Sequence, residues 1–509
     1  MNHSPNDDAG RDHVPLIFEK STPGARATDL PALDVPPCAI PDDLVEPQPP
    51  ALPEVGQLDL VRHYTHLAER NFSVDANFYP LGSCTMKYNP KINEAAAAIA
   101  GYAGLHPLQD DADVQGALRI LYELRTDLAE IAGLDEVSLQ PAAGAHGEYT
   151  ALRVIRAWFD DPEGGNQPQR RKVIAPDTAH GTNPASCAMC GSDVAKVPSK
   201  DGLVDLDALR AAVDDRTAAL MITNPNTAGL FDGTIGAICK ILHDAGGLVY
   251  LDGANMNAIV GVARPGDFGV DAMHYNTHKT FSTPHGCGGP GAGPIAVRDF
   301  LSPYLPVPQV EKRESKEANR ESGREPRSAS GAYFLSHDRP KSIGKVRSFF
   351  GQFGVLLRCW VYIRACGPDG LRHVAETAVL NANYAAARLR HRYETPFFDP
   401  KQRRFCAHEF ITVPQRLLDR GVTLVDIAKR LIDHGIHPPT MHWPVHNCLM
   451  IEPTETESLA TLDRFVEVML QIADEIETDP QLVKSAPHHA TVRRVDEVAA
   501  ARRPVLTYE

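Results

Sequence analysis

Between residues 136 and 297 the chain alternates short apolar runs with stretches of helical periodicity, and this alternation restricts its folding more than any other feature. Residues 137–140, 172–175, 219–223, 248–251, 272–275 and 294–297 read as strands. Residues 145–159 read as a helix, and another helix ends near Gly246 and Gly247. Strands separated by helices of this length predict an α/β fold, a mainly parallel sheet with helices on both faces. In such folds ligands sit at the carboxyl ends of the strands.

The flanking regions differ in character. Residues 1–60 form a Pro-rich arm, with Pro31, Pro36, Pro37, Pro41, Pro47, Pro49, Pro50 and Pro53 each fixing φ and removing a backbone donor. The large domain is expected over 61–308. It opens on a helix whose Val114, Leu118, Leu121, Leu124, Leu128 and Ile131 share one face. Residues 309–345 form a linker in which Glu311, Glu314, Glu317, Glu321 and Glu325 alternate with Lys312, Arg313, Lys316, Arg320, Arg324 and Arg327, a solvated pattern. A smaller α+β domain is expected over 346–509. Its helices cover 372–390 and 423–434, its strands 409–413 and 447–451, and a long amphipathic helix runs from Leu459 through Ile476.

Composition removes several classes of function. The 509 residues carry a net charge of −14, which disfavours a general nucleic-acid binder. The apolar run at 95–100 is far too short to span a bilayer. Residues 1–13 are polar and acidic and do not read as a secretory signal, so no membrane association and a cytoplasmic location are expected. The 10 cysteines are scattered, which fits free thiols in a reducing compartment. Cys187 and Cys190 have C-x-x-C spacing, but no second pair accompanies them. They read as packing thiols, and no metal is expected.

The chemistry centres on Tyr275-Asn276-Thr277-His278-Lys279-Thr280-Phe281, which follows a strand and precedes the Gly-rich loop 286–293. A loop lysine is ordinarily a solvated charge. Earlier in the chain, Asp252 ends the strand 248–251, where a helix N-cap is its ordinary role. A lysine able to form a Schiff base and a carboxylate able to hold a pyridine nitrogen protonated are together the mark of pyridoxal phosphate enzymes. Three further turns fit that cofactor. Ala143, Gly144 and Ala145 open a helix whose backbone N–H groups suit a phosphate. His180 sits in a loop from which it can cover a ring. Asn224, in Asn224-Pro225-Asn226-Thr227, offers an amide at a strand end. Each turn is common by itself, and it is their order along the chain that points to one fold.

At these residues the chain closely resembles the second subunit of the two-subunit glycine dehydrogenase (decarboxylating), the P-protein family of the glycine cleavage system. The stretches that carry the likeness include Arg62-His63-Tyr64, Tyr79-Pro80-Leu81-Gly82-Ser83-Cys84-Thr85-Met86-Lys87-Tyr88-Asn89-Pro90 and Ala143-Gly144-Ala145-His146-Gly147-Glu148. They continue through His180-Gly181-Thr182-Asn183-Pro184, Asp252-Gly253-Ala254-Asn255, His278-Lys279-Thr280-Phe281, His437-Pro438-Pro439-Thr440 and Ile451-Glu452-Pro453-Thr454-Glu455. The resemblance runs from about residue 14 to about residue 506.

The resemblance implies a pyridoxal phosphate fold-type I, aspartate aminotransferase-like domain with pyridoxal 5'-phosphate joined to Lys279. It implies Lys279, Asp252 and His180 as catalytic residues. The cofactor contacts expected are these three with Ala143, Gly144, Ala145, Asn224, Thr277 and His278. It also implies glycine as substrate, release of CO2, and passage of the aminomethyl group to the lipoyl disulfide of the H-protein. The partner implied is glycine dehydrogenase subunit 1, in a heterotetramer of two of each subunit. Cys287 stands where glycine is expected, Thr277 where an aliphatic residue is usual, and the charged segment 311–327 is long for the family. Ser83, Cys84 and Lys87 have no role assignable from sequence. Another fold-type I enzyme, an amino acid decarboxylase or a cysteine desulfurase, remains open, as does a non-catalytic scaffold subunit.

Overall fold

A computed structural model describes residues 15–48, 50–285, 291–313 and 333–506. Cys287 and all but the first residues of the charged segment fall outside them. The chain divides into two compact units, Phe78–Ala486 and a second formed by Met1–Asn77 with Pro487–Glu509. In the smaller unit, described residues of the Pro-rich arm have little regular structure and are mostly exposed, Leu30 at 90% and Leu52 at 73%, with Val55 buried at 6%. A helix follows at Gln57–Glu69.

The larger unit is built on a seven-stranded sheet. In chain order its strands are β1 (Glu136–Ser138), β2 (Lys172–Pro176) and β3 (Asp193–Val197), then, after a short ribbon of β4 (Ser199–Lys200) and β5 (Leu203–Val204), β6 (Thr217–Thr223), β7 (Leu248–Gly253), β8 (Ala272–Tyr275) and β9 (Ile295–Val297). The spatial order is β1-β9-β8-β7-β6-β2-β3, with β9 antiparallel to both neighbours and the other pairings parallel. Strands β6 and β7 are buried almost end to end, as apolar runs covered by helices on both faces must be. The edge strand β3 escapes the periodicity argument because its alternation is short and mostly exposed. Cys187 and Cys190 pack under this sheet, with Cys187 Sγ against Met221 Sδ at 3.9 Å.

Beyond the sheet, β10 (Gln309–Lys312) pairs antiparallel with β11 (Tyr333–Ser336). Helical residues Phe353–Leu389 break at Gly367, whose φ of +63° divides them into two helices. A second, three-stranded antiparallel sheet of β12 (Phe410–Thr412), β14 (Leu449–Ile451) and β13 (Thr440–Met441) has its own core. Helix Leu424–Asp433, closed by a Thr423/Asp426 capping box, and helix Leu459–Thr478, capped by Ser458, supply much of it. Among the described residues no helix is long and apolar enough to cross a membrane.

Candidate active site

The register of the sheet sets the site. Thr223 of β6 pairs with Asp252 of β7, and Asp252 with His274 of β8, so these strands end side by side. Above their carboxyl ends lies a cavity of about 290 Å³. Lys279, Asp252, His180, Ala143, Gly144, Ala145 and His278 all line it, residues drawn from separate turns of the sequence. Glu148, Thr182, Thr223, Thr227, Asn255, Asn276, Ser83, His408 and Glu409 complete much of the wall.

The phosphate-type turn is a true helix start. Ala143 is the extended N-cap of helix Gly144–Asp160, and the first intrahelical bond runs from Gly147 N–H to the Ala143 carbonyl. The N–H groups before it have no partner in the helix and face an anion-binding end. Gly144 is required here, since a Cβ would run into the Asn276 side chain. The Asn276 Oδ1 and His278 Nδ1 atoms are buried without a protein partner among the described residues.

Asp252 is 5% exposed, and its Oδ1 accepts from Ala254 N–H at 3.1 Å. The same oxygen lies 3.7 Å from His274 Nε2, and His274 Nδ1 is 2.5 Å from the Tyr250 hydroxyl. In the tautomer in which the tyrosine donates to Nδ1, the proton of a neutral imidazole is on Nε2, toward the carboxylate. Burial lowers the His274 pKa, which keeps that ring neutral. Burial, then the nearby His285 and Lys279, push His278 down to about 3.

His180 holds Thr182 Oγ1 at 2.8 Å and meets Trp443 edge to face at 5.2 Å. Thr182 and Ser186 each donate to the Glu148 carboxylate at 2.8 Å, which ties the His180 loop to the phosphate-type helix. Burial and the charge of Asp252 raise the Glu148 pKa.

Two anticipated contacts, Asn224 and Thr277, are not among the residues that line the cavity. Asn224 is 2% exposed, and its amide bonds the backbone of Asp232, accepting at 2.8 Å and donating at 3.3 Å. Its neighbours Thr223, Pro225 and Thr227 line the cavity. Thr277 is wholly buried, with its hydroxyl 3.4 Å from the Ala292 carbonyl and 3.3 Å from Thr283 Oγ1.

The segment from Tyr79 to Pro90, whose role is unreadable in sequence, is a strap along the far side. Leu81 bridges to Ile451 of β14, and Gly82 N–H donates to the Met450 carbonyl. Ser83, at φ +64°, lines the cavity and donates its N–H to Glu409. Cys84 Sγ is 3.3 Å from His285 Nε2. Lys87 is buried, pairs with Glu455 at 2.6 Å and donates to the Thr280 carbonyl at 2.8 Å, one residue beyond Lys279. Burial opposes its charge, but Glu455 and Tyr362 outweigh that and raise its pKa. The strap thereby fixes the lysine loop to the small sheet.

The described chain has close relatives. It is 53% identical over 501 residues to a probable glycine dehydrogenase (decarboxylating) subunit 2 of Halalkalibacterium halodurans, covering 97% of this chain and 98% of that one. It is 52% identical to the protein of the same description in Bacillus licheniformis, with the same coverage. Residues 374–490 match the family model described as glycine dehydrogenase, C-terminal domain. Among solved structures, an inhibitor-bound glycine decarboxylase (P-protein) of the glycine cleavage system superposes with a TM-score of 0.70 at 20% identity, over 85% of this chain and 93% of that one. A cysteine desulfurase from Thermococcus onnurineus gives 0.58 at 16% identity, over 79% of this chain and 95% of that one. These two share the fold. On the strength of the full-length relatives, this chain belongs to the glycine dehydrogenase (decarboxylating) subunit 2 family.

Proposed function

We propose that this chain is the catalytic subunit of a glycine-decarboxylating enzyme that uses pyridoxal 5'-phosphate. The observation that carries this is the convergence of Lys279, Asp252 and an uncapped helix start on one cavity at the strand ends. The cofactor supplies an aldehyde for an amine and a ring that takes up the electrons of the broken carbon–carboxylate bond. Lys279 is the amine, Asp252 the carboxylate that keeps a proton at the ring nitrogen, and the amides at Gly144 and Ala145 the phosphate cradle. His180 covers one face of the ring. Once displaced by glycine, Lys279 is free to move a proton.

In this reading glycine loses CO2, and its aminomethyl group passes to the disulfide of a lipoyl carrier, the H-protein. The relatives are described as subunit 2, which supports a first subunit as partner and an assembly of two of each. The exposed apolar residues of the arm, among them Leu30, Leu33 and Leu52, suit contact with that partner. The test is exchange of labelled bicarbonate into the carboxyl of glycine, with the first subunit, cofactor and lipoylated H-protein present. Exchange that needs every component and is absent with Lys279→Ala supports the proposal. A cofactor-loaded chain that exchanges nothing with glycine contradicts it.

A further inference from the structure

Opposite the strand ends the cavity is closed by His408 and Glu409, and Glu452 belongs to the same buried group. The cofactor contacts proposed above use none of the three. One side-chain nitrogen or oxygen of each lies within 4.8 Å of the others. Glu452 is wholly buried, and its Oε1 accepts from the Thr85 hydroxyl at 2.5 Å and from the amides of Asn255 at 3.2 Å and Asn257 at 3.1 Å. Three donors on one oxygen favour negative charge at Glu452. Glu409 is 3% exposed and receives the Ser83 N–H at 2.8 Å. Two carboxyl groups this close in a buried site share protons instead of both ionising, and Glu409, which receives the Ser83 N–H against three donors on Glu452 Oε1, is where a proton rests.

A second feature points at the same place. His408 is 2% exposed, and neither ring nitrogen has a protein partner among the described residues. Its Nε2 stands 4.0 Å from Glu409 Oε1. Burial and then Lys279 push the His408 pKa down to about 3, so the ring is neutral and offers both a donor and an acceptor. The other ionisable groups bearing on the pair are Lys279, which favours ionisation of both carboxyls, and Cys84, which senses the Glu452 charge. Burial nonetheless raises both carboxyl pKa values, that of Glu409 further through Glu452.

We infer that Glu409, sharing a proton with Glu452, is the proton donor on the substrate side of the cavity for transfer of the aminomethyl group to a disulfide. This rests on the function proposed above. That reaction consumes one proton. The carbon–carboxylate bond breaks, CO2 departs, and the electron pair left on carbon attacks one sulfur. The sulfur–sulfur bond breaks with its pair on the second sulfur, so the disulfide is reduced by two electrons as the glycine carbon is oxidised. The second sulfur leaves as a thiolate and takes the proton of Glu409, which solvent later restores.

The first test needs neither glycine nor cofactor. Difference infrared spectroscopy of the cofactor-free chain is expected to show a protonated buried carboxyl persisting to pH values well above the ordinary carboxylate range. Glu409→Gln, which still accepts the Ser83 N–H, should remove the component that titrates highest and leave the Glu148 component in place. The Glu409 component should titrate at lower pH in Glu452→Gln, where the neighbouring charge is gone. A band unchanged in Glu409→Gln overturns the inference. In the complete system, Glu409→Gln should slow transfer to the lipoyl disulfide by about 100-fold and remove a limb of the pH profile, with glycine affinity held within about twofold. Transfer at the normal rate in that variant overturns it as well. Wild-type chain that shows the band but does not act on glycine contradicts the proposed function and leaves the shared proton standing.

Discussion

The cavity has two walls built on different principles. The strand-end wall comes from consecutive βα turns, where Gly144, Thr182, Asp252 and Lys279 each follow a strand or open a helix. The opposite wall is assembled from residues far apart in the chain. Ser83 meets Glu409 across 326 residues, and Thr85 meets Glu452 across 367. The first wall depends on fold topology. The second depends on the strap, whose Lys87–Glu455 pair and Ser83–Glu409 bond must form together. Under the function and the inference proposed above, chemistry toward the cofactor belongs to the first wall and proton supply to the second.

That difference can be broken one wall at a time. Asp252→Ala should leave the fold intact and cost decarboxylation on the order of 10²–10³-fold, measured as turnover of cofactor-saturated enzyme. A near-normal rate would take Asp252 out of the chemistry. On the other wall the dominant effect should be on stability. Lys87→Ala leaves Glu455 buried without its partner and should cost roughly 3–5 kcal/mol in denaturant unfolding. The double variant Lys87→Met with Glu455→Leu should recover a large part of that loss. If Lys87→Ala lowers turnover and leaves stability untouched, the strap acts on chemistry and the contrast fails.

The pH dependence sharpens the comparison. Glu148, Glu409 and Glu452 are buried with raised pKa values, so the folded chain binds more protons than the unfolded chain above the ordinary carboxylate range. Their contribution is complete below the unfolded pKa and is lost as pH rises through the folded one. His278, His285 and His408 have lowered pKa values and act oppositely, with stability lost as pH falls below the ordinary imidazole range. The melting temperature of the cofactor-free chain should therefore fall between about pH 6.5 and about pH 8.5, and the fall should shrink in Glu409→Gln. A flat melting temperature across that window would mean that these carboxyls titrate normally. The smallest effect is expected at His180, where alanine should weaken cofactor retention by about tenfold through loss of one ring contact.

Legibility in the sequence follows the same division. The strands were readable because buried parallel strands are unbroken apolar runs, as in β6 and β7. Lys279 and Asp252 were readable because they stand directly after such runs. Asn224 shows where this reasoning reaches its end: a strand-end amide is equally a clamp on its own loop, and here it holds Asp232. The strap was visible as an unusual motif without a role, since its partners Glu409, Glu452 and Glu455 are brought to it only by the fold. Glu148 sat inside a recognised stretch, yet its hydrogen bonds to Thr182 and Ser186 depend on how two helices approach.

The most direct measurement of the central claim is to reduce the chain with borohydride in the presence of pyridoxal phosphate and map the modified peptide by mass spectrometry. One adduct at Lys279, lost in Lys279→Ala and reduced in Asp252→Ala, is the expected result. An adduct at a different lysine, with Lys279 unmodified, would contradict the assignment of this cavity as the active site.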